Sequence, residues 1–137
     1  ANIFEGNEKV ITVSLHGKNN YPLKKEKSDW DIELADDIGD EEYLLTLEKT
    51  LRKLKADHPQ IDLIMYQSGV DVLKQDKLGR MALSLRGIEK REELVCEFAK
   101  ENIAPIVATM GGGYGSHLNT ILDAHTIVYK QMQKTFF

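Results

Sequence analysis

The sequence predicts an α/β fold in which a parallel β-sheet is flanked by helices. Three short apolar runs, at residues 10–15, 61–66 and 105–110, are rich in β-branched side chains and have the length of a buried strand. An amphipathic segment follows each run, so strands and helices alternate along the chain. This alternation is typical of parallel strands joined by right-handed helical crossovers.

Three helices are predicted from apolar residues at spacings of three and four, which place one stripe on a helix face. They cover residues 40–55, 86–102 and 116–133, with Asp40 and Ser84 as the N-caps of the first two. The predicted buried faces are Leu44, Leu47, Leu51 and Leu54; Ile88, Val95, Phe98 and Ala99; and Leu118, Ile121, Leu122, His125 and Val128. The polar segment between Gly17 and Gly39 has no clear periodicity and is predicted to be one long loop.

Length and composition indicate a single domain over residues 1–137, with 42% hydrophobic and 29% charged residues. A net charge of −4 argues against nucleic acid as a partner, and no apolar run approaches the roughly 20 residues that cross a bilayer. The single cysteine, Cys96, excludes an intrachain disulfide and favours a reducing compartment, the cytoplasm or, in a eukaryote, the nucleus. Because the chain begins with Ala1 rather than methionine, we expect a processed chain or a fragment.

Glycine and polar residues follow each of the three predicted strands. In an open parallel sheet, ligands bind beyond the carboxyl ends of the strands. Ser14, His16, Asp71 and Tyr114 are therefore expected to lie near one rim of the sheet. Each of them alone has an ordinary structural interpretation, such as a turn former or a hydrogen-bonded core residue. Their convergence predicts a site without specifying its chemistry.

Five motifs, in order along the chain, resemble the histone deacetylase superfamily. They are SLH at 14–16, YP at 21–22, YQSGVD at 66–71, DKLG at 76–79 and GGGY at 111–114. The resemblance extends from about Phe4 to about Lys130 and looks closest to class IV and bacterial deacetylase-like members, which are related to acetoin-utilisation proteins and acetylpolyamine amidohydrolases. It implies that the chain is the C-terminal portion of a catalytic domain with the arginase/deacetylase-type open α/β fold.

On these motifs the resemblance implies residue roles. Asp71 matches the second zinc-ligating aspartate, and Tyr114 matches the tyrosine whose hydroxyl binds the oxyanion of the tetrahedral intermediate. The other implied roles are contacts of a structural potassium ion (Ser14 and Leu15), walls of the acyl-lysine tunnel (Tyr21 and Leu78) and the loop at the tunnel floor (Gly111, Gly112 and Gly113). Phe4, Asn7 and Val10 match a second monovalent-cation site, although Asn7 departs from the usual threonine.

These residue types suit the hydrolysis of an amide. Zinc lowers the pKa of a bound water and polarises the carbonyl, and a catalytic zinc takes about three protein ligands. A hydroxyl donor aimed at the developing oxyanion stabilises the transition state. The resemblance therefore implies a zinc-dependent deacetylase, a hydrolase that acts on acetyl-lysine or an acetylated polyamine.

The remaining catalytic residues of the family have no counterpart in the chain. The Asp-x-His ligand motif and a pair of histidines would match positions upstream of Ala1. Asp123-Ala124-His125 reads as Asp-x-His, but it lies in the third predicted helix, where residues two apart point about 200° apart and cannot share a metal. We therefore expect the 137-residue chain to be inactive by itself, its full-length parent to be active, and the exposed sheet edge to cause self-association.

Two other functions remain open from the sequence. The glycine-rich run 111–115 opens a helix and could hold phosphate in a nucleotide-binding module. However, it follows the last strand rather than the first, and no Gly-Lys-Ser/Thr is present. Alternatively, the chain is a degenerate deacetylase-like domain that serves interaction rather than catalysis. The coding sequence upstream of Ala1 would separate this alternative from the enzyme.

Overall fold

The computed structural model describes all residues from Ala1 to Phe137. Four strands and three long helices follow a short 3-10 turn at Asn2–Phe4. In chain order they are β1 (Val13–Gly17), β2 (Trp30–Leu34), α1 (Asp40–Asp57), β3 (Ile64–Gly69), α2 (Leu85–Glu101), β4 (Ile106–Gly111) and α3 (Leu118–Phe136). The predicted α/β class with parallel strands is confirmed.

The four strands form two separate parallel pairs. β1 pairs with β2, with Val13 opposite Trp30, and β3 pairs with β4, with Ile64 opposite Ile106. The expectation of three strands in one sheet is thus wrong in detail. The fourth strand, β2, lies in the segment that was expected to be a loop.

The residues of β2 carry the period-two pattern of a half-buried strand. Trp30, Ile32 and Leu34 are partly or fully buried, while Asp31 and Glu33 between them are exposed. The pattern is only five residues long and is set among charged residues, and this is why the longer polar segment concealed it.

α1 and α2 are linked at their N-termini. Gly39, not Asp40, is the N-cap of α1. Asp40 instead accepts hydrogen bonds from the Ser84 amide (2.8 Å) and the Ser84 hydroxyl (2.5 Å). The Ser84 hydroxyl in turn accepts from the Gly87 amide at 3.1 Å, so Ser84 is the N-cap of α2 as predicted.

The helix faces follow the predicted stripes with one exception. All four apolar residues predicted for α2 are buried, whereas Leu47 is the one fully buried member of the α1 stripe and Tyr43 is buried beside it. In α3 the buried positions are Ala124 and Val128, while Leu118 and Leu122 are 67% and 51% exposed. The prediction that these two leucines face the core is therefore wrong.

The core joins both sheets to the helices. Its twelve buried residues come from β2, α1, α2, α3, the segment between β2 and α1, and the segment after β3. α2 contacts both α1 and α3. None of the helices is both long enough and apolar enough to span a membrane. This packing fixes the loops after β3 and β4, which carry most of the candidate site.

Candidate active site

The loops that follow β3 and β4 lie side by side because these two strands are parallel neighbours. The Val70 amide donates a hydrogen bond to the Gly111 carbonyl at 2.9 Å, which continues the ladder one step beyond the strands. Asp71 comes directly after this bond on one loop, and Gly112 lies directly after it on the other. The carboxyl ends of two strands thus meet where ligands bind in parallel sheets.

Asp71 is a half-buried carboxylate without an ion-pair partner. No lysine, arginine or histidine lies within 4.0 Å of it, and no side-chain hydrogen bond reaches it. Burial raises the pKa of Asp71, and the negative charge of Asp76 raises it further. A carboxylate that loses water without gaining a partner is unusual, and it is typical of functional sites.

The glycine loop is shaped by its contact with Asp71. Gly112 and Gly113 have φ values of 64° and 103°, which are left-handed conformations that favour glycine. A Cβ atom on Gly112 would lie 2.8 Å from the Asp71 Cβ, and one on Gly113 would lie 2.9 Å from Val70. Both glycines are therefore required by space as well as by backbone angle.

Tyr114 follows this loop with its side chain in solvent and its backbone anchored. The side chain is 60% exposed. Its amide donates a hydrogen bond to Asp76 Oδ2 at 2.6 Å. Asp76 Oδ1 accepts from the Leu78 amide at 2.8 Å and from the Gly79 amide at 2.7 Å. The loop that carries Leu78 and the loop that carries Tyr114 are therefore joined through one carboxylate.

A buried polar cluster lies beneath the end of β3. Arg91 on α2 donates to the Gly69 carbonyl at 2.6 Å and to Glu92 at 2.5 Å, and Ser68 donates to Glu92 at 2.9 Å. Arg91 and Glu92 are 3% and 0% exposed. The Tyr66 hydroxyl lacks a hydrogen-bond partner, and burial followed by the Glu92 charge raises its pKa well above the usual value.

The sequence motifs and helix stripes did not predict this cluster. Arg91 and Glu92 stand three and four residues after Ile88, and Val95 stands three residues after Glu92, so both charges lie on the apolar face of α2. Two charged residues inside a predicted buried stripe are the signal that could have revealed them, since a buried charge needs a partner.

The residues predicted on β1 lie on a strand that does not pair with β3 or β4. Ser14, Leu15 and His16 lie within the strand rather than after it, because β1 continues to Gly17. The Ser14 hydroxyl and His16 Nδ1 are 2.8 Å apart. β1 pairs with β2 and not with β3 or β4, and His16 lines a groove bordered by residues 18–33. The structure brings the loops of Asp71 and Tyr114 side by side, and the roles of Asp71, Tyr114, Ser14 and Leu15 stay predictions.

The loop after β1 carries Tyr21 and is organised by Lys25. The Lys25 ammonium donates hydrogen bonds to the carbonyls of Lys18 (3.1 Å), Asn20 (3.0 Å) and Pro22 (3.1 Å), which satisfies all three of its donors. The Tyr21–Pro22 peptide bond is cis, and the Tyr21 side chain is exposed. The role of Tyr21 and Leu78 as tunnel walls stays a prediction.

The residues of the chain do not form a complete metal site. Nowhere do three His, Cys, Asp or Glu side chains come close enough together to hold a metal ion. Asp123 and His125 lie in α3, as predicted, and His125 Nδ1 is buried without a partner. The 3-10 turn and the residues after it hold Phe4 and Asn7 at the surface. Because a catalytic zinc takes about three protein ligands, Asp71 by itself does not hold one.

Comparison with known proteins identifies the family of the chain. Residues 1–129 match the model of the histone deacetylase domain. An uncharacterised protein of Picosynechococcus sp. is 30% identical over 134 residues, which are 98% of this chain and 44% of that protein. The chain therefore belongs to the histone deacetylase family.

Two solved structures share the fold. A histone deacetylase homologue in complex with SAHA superposes with a TM-score of 0.77 at 24% identity, over 97% of this chain and 37% of that one. The acetylpolyamine aminohydrolase of Burkholderia pseudomallei superposes with a TM-score of 0.68 at 19% identity, over 90% of this chain and 37% of that one. The chain spans less than half the length of these relatives.

Proposed function

We propose that this chain forms part of an enzyme that hydrolyses the amide of acetyl-lysine or of a related acetylated amine, with zinc as its metal. The observation that carries the proposal is the joined pair of loops after β3 and β4. They present an unpaired, half-buried carboxylate, Asp71, beside a glycine loop that ends in the exposed Tyr114. Membership of the histone deacetylase family supports the same chemistry.

Each part of this assembly suits one task in amide hydrolysis. The Tyr114 hydroxyl is free of intramolecular hydrogen bonds and exposed, so it can donate to an oxygen that becomes negative in the transition state. The glycine loop lacks side chains where a slender acyl chain would approach. Asp71 is available as one metal ligand because no basic side chain forms an ion pair with it.

The proposal places the other metal ligands outside these 137 residues. One carboxylate cannot hold a catalytic zinc, and the chain has no group of three candidate ligands. We therefore expect the isolated chain to be inactive, with the deacetylase activity residing in a longer protein that contains it.

For the substrate we propose an acetylated amine, with acetyl-lysine and acetylpolyamine as the two members. The similar solved structures include both a histone deacetylase homologue and an acetylpolyamine aminohydrolase. Either substrate offers a secondary amide on a flexible methylene chain. Assay of both substrates with the same protein would decide between them.

The phosphate-binding alternative has weaker support. The glycine loop would need free amides for a phosphate, but the Tyr114 amide already donates to Asp76. The Asp76 carboxylate would also repel a phosphate at that position. Calorimetry with a nucleotide is expected to show no binding.

The test compares two proteins: the isolated 137-residue chain and the longest polypeptide that its gene encodes. We expect no turnover of an acetyl-lysine peptide by the isolated chain, and turnover by the longer protein that a zinc chelator removes. If the gene encodes no further metal ligands and no turnover occurs, the catalytic proposal is overturned in favour of an interaction domain. Turnover by the isolated chain would contradict the proposed division of the site.

A further inference from the structure

We infer that Asp76 is a positioning residue that sets the direction of Tyr114 and joins its loop to the loop that carries Leu78. This inference rests on the proposed function, since it concerns the residue that would bind the oxyanion. Asp76 is not a metal-ligand candidate in the sequence motifs, and no catalytic role is needed for it. It acts through the backbone of other residues.

The two oxygens of the Asp76 carboxylate accept hydrogen bonds from different parts of the chain. Oδ1 accepts from the Leu78 and Gly79 amides, two and three residues away, which is the ordinary local turn of an aspartate. Oδ2 accepts from the Tyr114 amide, 38 residues away, at 2.6 Å. A local turn does not need the second contact. A short hydrogen bond to a charged acceptor between two loops is about twice as strong as a neutral one.

The neighbouring contacts make this bond the anchor of Tyr114. The Tyr114 hydroxyl makes no hydrogen bond, and its side chain is mostly in solvent, so packing does not hold it. Gly113, with a φ of 103°, precedes Tyr114, and Gly115 follows it. Because glycines have wide backbone freedom, these neighbours do not restrict the direction of the Tyr114 side chain. Fixing the amide of Tyr114 therefore restricts where its hydroxyl can reach.

The same bond fixes the distance between two loops. Gly79 packs so tightly against the Asp71 carbonyl that any Cβ there would lie 1.7 Å from the oxygen. The loop 76–79 thus packs against Asp71, and Asp76 in this loop accepts a hydrogen bond from the Tyr114 amide. Asp71 and Tyr114 are thus linked through the loop 76–79, because Gly79 packs against Asp71 and Asp76 accepts from the Tyr114 amide.

The Asp76→Asn substitution tests the long-range contact selectively. Asparagine can keep its carbonyl oxygen towards the Leu78 and Gly79 amides. Its NH2 group, which is a donor, then faces the Tyr114 amide and cannot accept from it. The matched control is Asp62→Asn, an exposed aspartate in a bend before β3 that has no side-chain partner.

The first readout uses the 137-residue chain and requires no activity. In amide NMR we expect Asp76→Asn to shift the Tyr114 amide proton upfield and to speed its hydrogen exchange by about tenfold or more, while the Leu78 and Gly79 amides keep their positions. The 19F signal of fluorotyrosine at position 114, assigned with Tyr114→Phe, should narrow as the ring gains freedom. An unchanged Tyr114 amide would overturn the inference.

The second readout uses the longer, active protein. We expect Asp76→Asn to lower kcat about tenfold or more with KM changed less than about twofold, and to add little further loss to Tyr114→Phe. Asp62→Asn should leave both constants unchanged. Losses from Asp76→Asn and Tyr114→Phe that multiply independently would overturn the positioning role. If the unaltered protein shows no turnover, the proposed function fails, and the NMR result still decides the inference.

Discussion

At the scale of one residue, the ionised carboxylate of Asp71 lowers the stability of the folded chain. Its carboxylate is half-buried, unpaired and close to the charge of Asp76, so ionisation is harder in the folded chain than in the unfolded one. Residues that a fold keeps at its own expense are often those that function requires. Gly112 serves the same site, because only a glycine fits against Asp71 at that backbone angle.

Replacing Asp71 with asparagine is expected to stabilise the metal-free chain. The pKa of Asp71 is raised in the folded state, so the fold favours the protonated carboxyl. The contribution of the protonated carboxyl to folding stability is fully present below the ordinary pKa of 3.8 and is lost as the pH rises through the folded pKa. Asparagine does not ionise, so Asp71→Asn should raise the free energy of unfolding at pH 7, and by less as the pH falls towards 4.

Urea unfolding in the presence of a chelator, at several pH values, measures this difference. Asp62→Asn serves as the control, because Asp62 is exposed and has no partner. A variant that is less stable than the original chain at pH 7, or a difference that grows on acidification, would contradict the account of Asp71.

At the scale of secondary-structure elements, α2 contacts the end of β3 that precedes Asp71. Arg91 and Glu92 lie on its buried face, and Arg91 holds the last carbonyl of β3 two residues before Asp71. The pair lies inside a face otherwise made of apolar residues such as Ile88 and Val95. Each charge is tolerated there because the other neutralises it, and removing one partner leaves the other buried and unpaired.

Arg91→Met is therefore expected to destabilise the chain by about 3–5 kcal/mol, because Glu92 would remain buried without its cation. The matched control is Lys90→Met on the same helix, where the ion pair with Glu93 is exposed and a change of about 0–1 kcal/mol is expected. Midpoints of urea unfolding compare the two variants. Equal midpoints would refute the role assigned to the buried pair.

The elements also show which features could be predicted from sequence. α2, its N-cap Ser84 and its apolar face follow from periodicity and capping alone, while the roles that the motifs imply for Asp71 and Tyr114 stay predictions. β2 was missed because its period-two pattern is short and charged. The pairing of β1 with β2 could not be foreseen because periodicity reports which face of a strand is buried and not which strand lies beside it.

The predicted buried face of α3 was partly wrong for a related reason. Leu118 and Leu122 have the spacing of a buried face, but they lie in the first turns of α3, where no other element of the chain covers them. The contacts of Asp76 with Tyr114 and of Arg91 with Gly69 were also beyond the sequence, because they join residues far apart in the chain.

At the scale of the whole molecule, apolar surface is left uncovered on β3 and β4. Met65 and Val107 are paired in register on the same face, and both are exposed, as is Leu63 beside them. Parallel sheets are usually covered on both faces. The relatives of this chain are more than twice its length, so we propose that further polypeptide, or another copy, covers this face.

The isolated chain is therefore expected to self-associate at high concentration. Light scattering across a concentration series should show a rising mean mass for the original chain and a smaller rise for the double variant Met65→Lys and Val107→Lys. Replacing two exposed residues of α1, Lys49→Ala and Arg52→Ala, serves as the control. A strictly monomeric chain at every concentration would contradict this expectation.

The central claim is that this chain carries the oxyanion-binding tyrosine and one metal-ligand aspartate of a deacetylase. The most direct measurement is kcat for an acetyl-lysine peptide with Tyr114→Phe and with Tyr129→Phe, an exposed tyrosine on α3, in the longest protein that the gene encodes. We expect Tyr114→Phe to lower kcat about 100-fold or more, as the loss of an oxyanion donor does, and Tyr129→Phe to leave it unchanged. Equal activity of the two variants would contradict the claim.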